Sequence, residues 1–131
     1  MPEDTHIASV MQTDFLRLSE TMPIREAIAA LLDAGASAAP VTDPTGSLVG
    51  VLTQKDCFRS ALNASYYQQW RGAVGDFMSK EPATLEAETD FVTAAEAFIE
   101  KPYRAYPVTD AGTLVGMLHR SDLLAAFLKH G

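Results

Sequence analysis

Apolar residues recur every three or four positions within the first 35 residues of the chain. These positions are Ile24, Ala27, Ile28, Leu31 and Leu32. Such spacing places them on one face of a helix. Pro23 suits a first helical turn and Gly35 suits a helix end, so the pattern predicts a helix over residues 23–34.

Two short apolar runs follow, at residues 38–42 and 48–53, with Asp-Pro-Thr-Gly between them at residues 43–46. Asp, Pro and Gly are the residues that tight turns favour. The pattern therefore predicts a β-hairpin. Residues 53–56 then begin a second helix, whose apolar positions start with Phe58.

The second half of the chain has the same pattern. It predicts a helix over residues 90–101, strands over 105–110 and 114–118, and a last helix over 120–129. A short extended segment precedes the first helix of each half. Each half therefore has the order strand, helix, strand, strand, helix.

Sequence identity between the halves shows that this order is a duplication. Pro-Val-Thr-Asp at residues 40–43 recurs at residues 107–110, and Leu-Val-Gly at residues 48–50 recurs at residues 114–116. The offset falls from 67 to 66 because the intervening turn is one residue shorter in the second half. Turns tolerate such deletions better than helices or strands do.

The duplication predicts an α+β fold (of α/β type) with a first repeat at residues 1–64, a linker at 65–75 and a second repeat at 76–131. A repeat with three short strands and two helices is too small to cover its own sheet well. We therefore expect the two β-α-β-β-α repeats to pack sheet to sheet with pseudo-twofold symmetry.

Charge and composition narrow the classes of function. The chain has 10 Lys and Arg against 17 Asp and Glu, for a net charge of −7, so nucleic acid is an unfavourable partner. No apolar run approaches the roughly 20 residues that span a bilayer, so no membrane segment is expected. The single cysteine, Cys57, has no partner in the chain, and no signal peptide is evident. These features favour a cytoplasmic protein.

The doubled series of Pro-Val-Thr-Asp, turn, Leu-Val-Gly, two apolar residues and an Asp that opens a helix resembles the tandem CBS domain, or Bateman module, of the stand-alone bacterial type. The resemblance covers essentially the whole chain. It implies a regulatory, energy-sensing module that binds AMP, ADP, ATP or S-adenosylmethionine in clefts between the repeats and signals to a client protein, which is unknown. It also implies a homodimer.

The functional motif of such modules is Gly-x-x-Thr/Ser-x-x-Asp, which is complete at residues 50–56. The start of a helix offers free N–H groups to a phosphate. The Thr53 hydroxyl can donate to that phosphate, and Asp56 can accept from both ribose hydroxyls. These two residues therefore suit a nucleotide.

The resemblance adds three residues to this predicted site. Thr84, on the strand that leads into the second repeat, corresponds to the threonine that the opposite repeat supplies in the family. Ala39 and Val51 are candidates for lining an adenine slot.

The second repeat departs from the motif, because His119 stands where the hydroxyl residue is expected, although Asp122 is kept. The counterpart of Thr84 is Arg17. With Arg120 close by, the second cleft either takes a more highly phosphorylated ligand or is degenerate and empty.

Structural interpretations stand beside these functional ones. Thr53 and Asp56 also fit a capping box, in which each side chain accepts from the other residue's backbone N–H. Cys57 fits a small packing residue better than a reactive thiol. The aromatic segment at residues 65–72 fits either a partner contact or a helix extension that packs on the joint between the repeats.

No pairing of nucleophile and base, no metal-ligand spacing and no phosphate-binding glycine loop is present in the sequence. His6, His119 and His130 have no paired spacing. We therefore expect no enzyme activity, no catalytic residue, no metal site and no required cofactor. The alternative to nucleotide sensing is a structural dimerisation or docking module whose clefts hold nothing.

Overall fold

The structure, a computed structural model, describes residues 5–130, with side chains described through residue 129. These residues form two compact units. The first unit is Leu16–Pro82, and the second unit joins the described residues up to Phe15 with those from Ala83 onward. Residues 1–4 and 131, which the predicted repeats include, lie outside the described residues.

The first unit is a four-stranded sheet with helices, and the strands lie in the order β1-β2-β3-β4. Its elements are β1 (Leu18–Ser19), α1 (Ile24–Asp33), β2 (Ala38–Thr42), β3 (Leu48–Thr53), α2 (Cys57–Tyr67), α3 (Val74–Phe77) and β4 (Ser79–Lys80). Strands β1 and β2 are parallel, and the other neighbours are antiparallel.

The second unit has a three-stranded sheet in the order β5-β6-β7. Its elements are a 3₁₀ turn (Ile7–Ser9), β5 (Leu85–Glu86), α4 (Phe91–Glu100), β6 (Ala105–Asp110), β7 (Thr113–His119) and α5 (Arg120–His130). Strands β5 and β6 are parallel, and β6 and β7 are antiparallel, as in the first unit.

The predicted fold class of two β-α-β-β-α repeats is confirmed. The first helix was predicted over residues 23–34 and spans Ile24–Asp33. The pattern did not predict the 3₁₀ turn, α3 or β4, which are too short to produce a periodic signal. The sheet-to-sheet arrangement of the repeats stays a prediction.

Each unit has its own apolar core between its sheet and its helices. The first core comprises Leu18, Ile24, Ala27, Leu31, Ala39, Val41, Leu52, Cys57 and Val74. The second comprises Ile7, Phe91, Ala94, Val108, Leu118, Leu123 and Ala126. Each core contains one residue from outside its predicted repeat. Val74, in the first core, belongs to the predicted linker, and Ile7, in the second core, belongs to the first predicted repeat.

Val74 enters the first core because the chain that follows α2 returns to the start of α1. The Ile24 N–H donates to the Gly72 carbonyl at 3.1 Å, and the Val74 N–H donates to the Met22 carbonyl at 2.9 Å. The predicted linker at residues 65–75 is thus divided: its first residues extend α2, and its last residues are part of the first unit's core.

The same pair of hydrogen bonds occurs 67 positions away in the second unit. The Phe91 N–H donates to the Thr5 carbonyl at 2.9 Å, and the Ile7 N–H donates to the Thr89 carbonyl at 2.8 Å. The segment before each repeat therefore packs against the other repeat. The compact units consequently divide the chain at places different from the repeat boundaries that the sequence predicts.

Two glycines in the motif strands allow these segments to lie close. A Cβ on Gly50 would be 2.6 Å from Met78 Sδ, and one on Gly116 would be 2.5 Å from Met11 Sδ. Neither distance is possible for real atoms without movement. The glycines of the Leu-Val-Gly motif are thus explained by the two methionines, which are themselves 67 residues apart.

Candidate functional site

Thr53 and Asp56 lie together at the turn between β3 and α2, where each holds the other. The Thr53 N–H donates to Asp56 Oδ2 at 3.0 Å, and the Asp56 N–H donates to Thr53 Oγ1 at 3.0 Å. The structure thus contains the reciprocal capping arrangement that the sequence offered as the structural interpretation. Both side chains are partly buried.

This pairing leaves hydrogen-bonding capacity on both side chains. A hydroxyl that accepts can still donate its proton. Within the described residues, no donor reaches Oδ1 of Asp56, and Oδ2 accepts only from the Thr53 amide. The capping and nucleotide interpretations are therefore compatible, because the capping bonds fix the two side chains and leave one proton and several lone pairs available.

The turn itself is anchored to the start of β2. The backbone N–H of Gln54 donates to the Ser37 carbonyl at 2.9 Å, and its side-chain Nε2 donates to the Ala36 carbonyl at 2.9 Å. These bonds fix the backbone on which Thr53 and Asp56 sit.

The first turn of α2 offers fewer free amides than the sequence suggested. The Cys57 N–H donates to the Gln54 carbonyl at 3.1 Å, and the Phe58 N–H donates to the Lys55 carbonyl at 3.2 Å. Together with the amide of Asp56, these donors are already used. In the part of the chain that the structure describes, the Lys55 amide in this turn has no acceptor. A phosphate here would gain one backbone donor rather than several.

The predicted adenine slot needs a correction at Ala39. Ala39 is fully buried, pairs with Leu52 across β2 and β3, and belongs to the first core. Val51 pairs with Pro40, one register position away, so its side chain lies on the opposite face of the sheet. Ala39 and Val51 therefore cannot line one wall, and only Val51, which is partly exposed, keeps a surface for a ligand.

The second junction, between β7 and α5, has a different set of contacts. Oδ2 of Asp122 accepts from the His119 N–H at 3.2 Å and from the Gln12 side-chain Nε2 at 3.2 Å. The His119 Nδ1 lies 3.5 Å from the same oxygen. This Nδ1 is buried and has no hydrogen-bond partner among the described residues.

The remaining predicted residues lie at the surface. Arg120 is exposed, and its backbone N–H donates to the Arg104 carbonyl at 2.9 Å. Arg17 is exposed just before β1 in the first unit, and Thr84 is exposed just before β5 in the second. The structure thus brings Thr53 to Asp56 and His119 to Asp122, each pair within one unit.

Cys57, the residue after Asp56, is a core residue. Its side chain is 7% exposed, and its Sγ donates to the Thr53 carbonyl at 3.3 Å. Burial raises the pKa of the Cys57 thiol, and the neighbouring charge of Asp56 raises it further. Both effects disfavour the thiolate, so the side chain is suited to packing rather than to nucleophilic chemistry.

Sequence reasoning missed Gln12, whose side chain the structure places on Asp122 at the second junction. The Gln12 N–H donates to the Met117 carbonyl at 2.8 Å, and the Met117 N–H returns a bond of 2.9 Å to the Gln12 carbonyl. Ser79 makes the equivalent pairing with Val51 in the first unit. The match between Met11 and Met78 in the sequence was the signal that could have placed these segments on the motif strands.

The described residues also bear on membrane spans and on metal sites. No helix among them is both long and apolar enough to cross a membrane. No group of three or more His, Cys, Asp or Glu side chains among them is arranged to hold a metal ion. The side chain of His130 lies outside this part of the chain.

Curated proteins of known sequence match much of this chain. A CBS domain-containing protein of Dictyostelium discoideum is 32% identical over 99 residues, which cover 69% of this chain and 68% of that protein. An uncharacterised protein of Methanocaldococcus jannaschii is 21% identical over 118 residues, or 90% of this chain and 41% of that protein. The chain spans 41%, 14% and 26% of the lengths of three curated relatives that it matches.

Solved structures share the fold. The crystal structure of CBSX2, a CBS-pair protein of Arabidopsis thaliana, in complex with AMP has a TM-score of 0.85 and 26% identity. The alignment covers 95% of this chain and 97% of that one. The sequence model of the CBS domain matches this chain twice, at residues 7–63 and 74–129. The chain belongs to the CBS domain family and carries two copies of the domain.

Proposed function

We propose that this chain is a regulatory module that binds an adenosine nucleotide at the β3–α2 junction and passes the occupied state to a separate protein. The observation that carries the proposal is the Thr53 and Asp56 pair. Its mutual hydrogen bonds hold both side chains in place and leave a hydroxyl proton and an open carboxylate oxygen. CBS-pair proteins are regulatory modules, and they are generally not enzymes.

The chemistry of a nucleoside phosphate matches these free groups. The two ribose hydroxyls are donors, and the Asp56 carboxylate is an acceptor with unused lone pairs. The Thr53 hydroxyl and the Lys55 amide are donors for a phosphate oxygen. Since the chain carries a net charge of −7, an anionic ligand gains little from the overall field and depends on such local donors.

AMP is the ligand with the strongest support. CBSX2, which is 26% identical to this chain and of matching length, was crystallised with AMP. ADP, ATP and S-adenosylmethionine share the adenosine group and are the other candidates. Thr84 and Val51 are the further residues expected to contribute, Thr84 by its correspondence with the family and Val51 by its partly exposed side chain.

Signalling requires that the ligand bind two arrangements of the module with different affinity. No reaction is needed for this, and we propose that the module acts on its client protein only through that difference.

Titration calorimetry with AMP, ADP, ATP and S-adenosylmethionine tests the proposal. Asp56→Asn keeps an acceptor for the Thr53 amide and removes the charge that the ribose would use. We expect affinity to fall by about tenfold to a hundredfold, the effect of losing charge-assisted hydrogen bonds. Glu96→Ala, which changes an exposed acid on α4, is the matched control and should bind normally.

Unchanged affinity in Asp56→Asn would place the ligand elsewhere, provided that circular dichroism shows the variant to be folded. Absence of binding by all four ligands at millimolar concentration would contradict the proposal. That second result would favour the docking alternative.

A second proposal concerns self-association. The last helices of the two repeats expose apolar side chains at equivalent positions, 66 residues apart: Phe58 (68% exposed) with Leu124 (68%), and Leu62 (61%) with Leu128 (86%). Apolar side chains at equivalent positions in both repeats suit an isologous contact with a second copy of the chain. In such a contact both copies use the same surface.

Sedimentation equilibrium tests this contact. Wild-type protein should be dimeric, and the double variant Phe58→Glu, Leu124→Glu should be monomeric. Leu32→Glu is the control, because Leu32 is an equally exposed leucine (62%) that lies on α1 and on neither last helix. A monomeric wild-type protein at 100 µM, a concentration chosen to favour association, would overturn the dimer proposal.

A further inference from the structure

The geometry of the second junction points to a carboxylate that is occupied by its own chain: we infer that Gln12 and His119 close Asp122 to a ribose and so limit the protein to one nucleotide per chain. In this view Gln12 is a specificity-determining residue. The inference rests on the proposed function of the first junction.

Three groups converge on one oxygen of Asp122. The Gln12 amide and the His119 backbone N–H each donate to Oδ2 at 3.2 Å, and the His119 ring nitrogen Nδ1 lies 3.5 Å from it. A carboxylate oxygen has two lone pairs in its plane. The two donors therefore use the acceptor capacity of Oδ2, and the imidazole occupies the space beside it.

A ribose diol needs both oxygens of the carboxylate to accept its two hydroxyls. At Asp122, Oδ2 is taken, so the diol would have to displace the Gln12 amide and pass the His119 ring. At Asp56, Oδ2 accepts from a single backbone amide and keeps a lone pair. The two junctions thus differ in acceptor capacity although they have the same acid at the same position.

Gln12 is held in place to make this contact. Its backbone exchanges hydrogen bonds of 2.8 and 2.9 Å with Met117 on β7, so its side chain starts from a fixed point. The equivalent residue in the first unit is Ser79, which pairs with Val51. Serine lacks the second methylene and the amide of glutamine, and no hydrogen bond joins Ser79 to Asp56 in the described chain.

The position of the His119 ring supports the same conclusion. A threonine at this position would cap the turn and keep a proton for a ligand, as Thr53 does. The imidazole instead lies against the carboxylate, with its buried Nδ1 3.5 Å from Asp122 Oδ2. The second junction is consequently filled where the first is open.

AMP titration calorimetry on the full chain tests the inference by stoichiometry. Wild-type protein should bind one AMP per chain, and the double variant Gln12→Ser, His119→Thr, which copies the first junction, should bind two. The reverse graft, Thr53→His with Ser79→Gln, should weaken the first site at least about tenfold, the effect of losing one charge-assisted hydrogen bond.

The outcomes separate this inference from the proposed function. Two AMP per chain in the wild type, or one in the double variant, would overturn the closure of the second junction and leave the proposed function standing. No binding of AMP, ADP, ATP or S-adenosylmethionine by the wild type would contradict the proposed function. In that case binding gained by the double variant would still support the closure, and none gained would refute it.

A measurement without ligand protects the test against misfolding. In proton–nitrogen correlation NMR spectra of the wild type, the contact with Asp122 should shift the resonances of the Gln12 side-chain amide. These resonances should move to the position of a solvated amide in Asp122→Ala. An amide that is already at that position in the wild type would overturn the inference.

Discussion

Asp56 and Asp122 stand at equivalent positions of the two repeats, but their surroundings differ. Oδ2 of Asp56 accepts from one backbone amide, whereas Oδ2 of Asp122 also accepts from the side chain of Gln12. The backbone hydrogen bonds that build each unit are kept at an offset of 67. The duplication has thus kept its scaffold, and the side chains at the junctions have diverged.

The two units show a similar divergence at one buried position. Tyr106 stands where the first repeat has Ala39. Its hydroxyl donates to the Ala97 carbonyl at 2.9 Å, and its ring lies 5.0 Å from that of Phe98. The second unit therefore fills with an aromatic ring and a hydrogen bond the place that the first unit fills with a methyl group.

The largest expected effect comes from two leucines at equivalent positions in the two repeats. Leu52→Ala and Leu118→Ala each remove a fully buried side chain from one core. Each should lower the free energy of unfolding by about 2–5 kcal/mol. Urea unfolding measures this, with Leu32→Ala as the exposed control, expected within about 0.5 kcal/mol of wild type. A loss below about 1 kcal/mol in either core variant would break the equivalence of the two cores.

The motif glycines come next. Gly50→Ala and Gly116→Ala should each cost about 1–3 kcal/mol by overpacking. We expect Gly50→Ala to cost more, because its Cβ would also lie 2.8 Å from the Ser79 carbonyl, whereas the Gln12 carbonyl is 3.0 Å from a Cβ on Gly116. Backbone oxygens held in strand pairing yield less than a methionine side chain does.

Adding Met11→Ala to Gly116→Ala sharpens this prediction. The second change removes the closest atom, at 2.5 Å, and should recover part of the lost stability. No recovery in the double variant would show that the methionine contact is not what requires glycine.

The smallest effect is expected at Tyr106, a buried residue of β6. Tyr106→Phe removes the hydrogen bond to Ala97 and should cost about 0.5–1.5 kcal/mol at neutral pH. Burial raises the pKa of Tyr106 above its ordinary value of 10.0, and Tyr103 and Glu100 raise it further. Because the folded pKa is the higher one, this contribution is present below pH 10.0 and is lost as the pH rises through the folded pKa.

Urea unfolding between pH 8 and 11 checks this sign, over a range chosen to bracket the ordinary tyrosine pKa. The wild type should lose more stability than Tyr106→Phe as the pH rises. Parallel pH profiles for the two proteins would refute the assignment.

Much of the fold followed from local pattern. The helix from Ile24 and the hairpin of β2 and β3 were predictable because apolar spacing and turn residues are local signals. The pairing of Thr53 with Asp56 followed from their spacing of three residues at a helix start.

Features that depend on tertiary contacts were beyond the pattern. The burial of Ala39 depends on which face of β2 meets the helices, and alternation alone does not say which face that is. Gln12 contacts the carboxylate of Asp122, 110 residues away. Its segment is held there by a single β-bridge between Gln12 and Met117, which gives no periodic signal in the sequence. Thr84 at the proposed site stays a prediction.

The exchange of leading segments has a consequence for any attempt to trim this protein. Ile7, near the start of the sequence, is fully buried in the core that otherwise uses residues from Phe91 to Ala126. Deleting the first dozen residues should therefore destabilise the second repeat and leave the folding of Leu16–Pro82 largely unchanged. A tag or a protease that disturbs the segment around Ile7 would likewise destabilise the core formed by the carboxyl-terminal half of the chain.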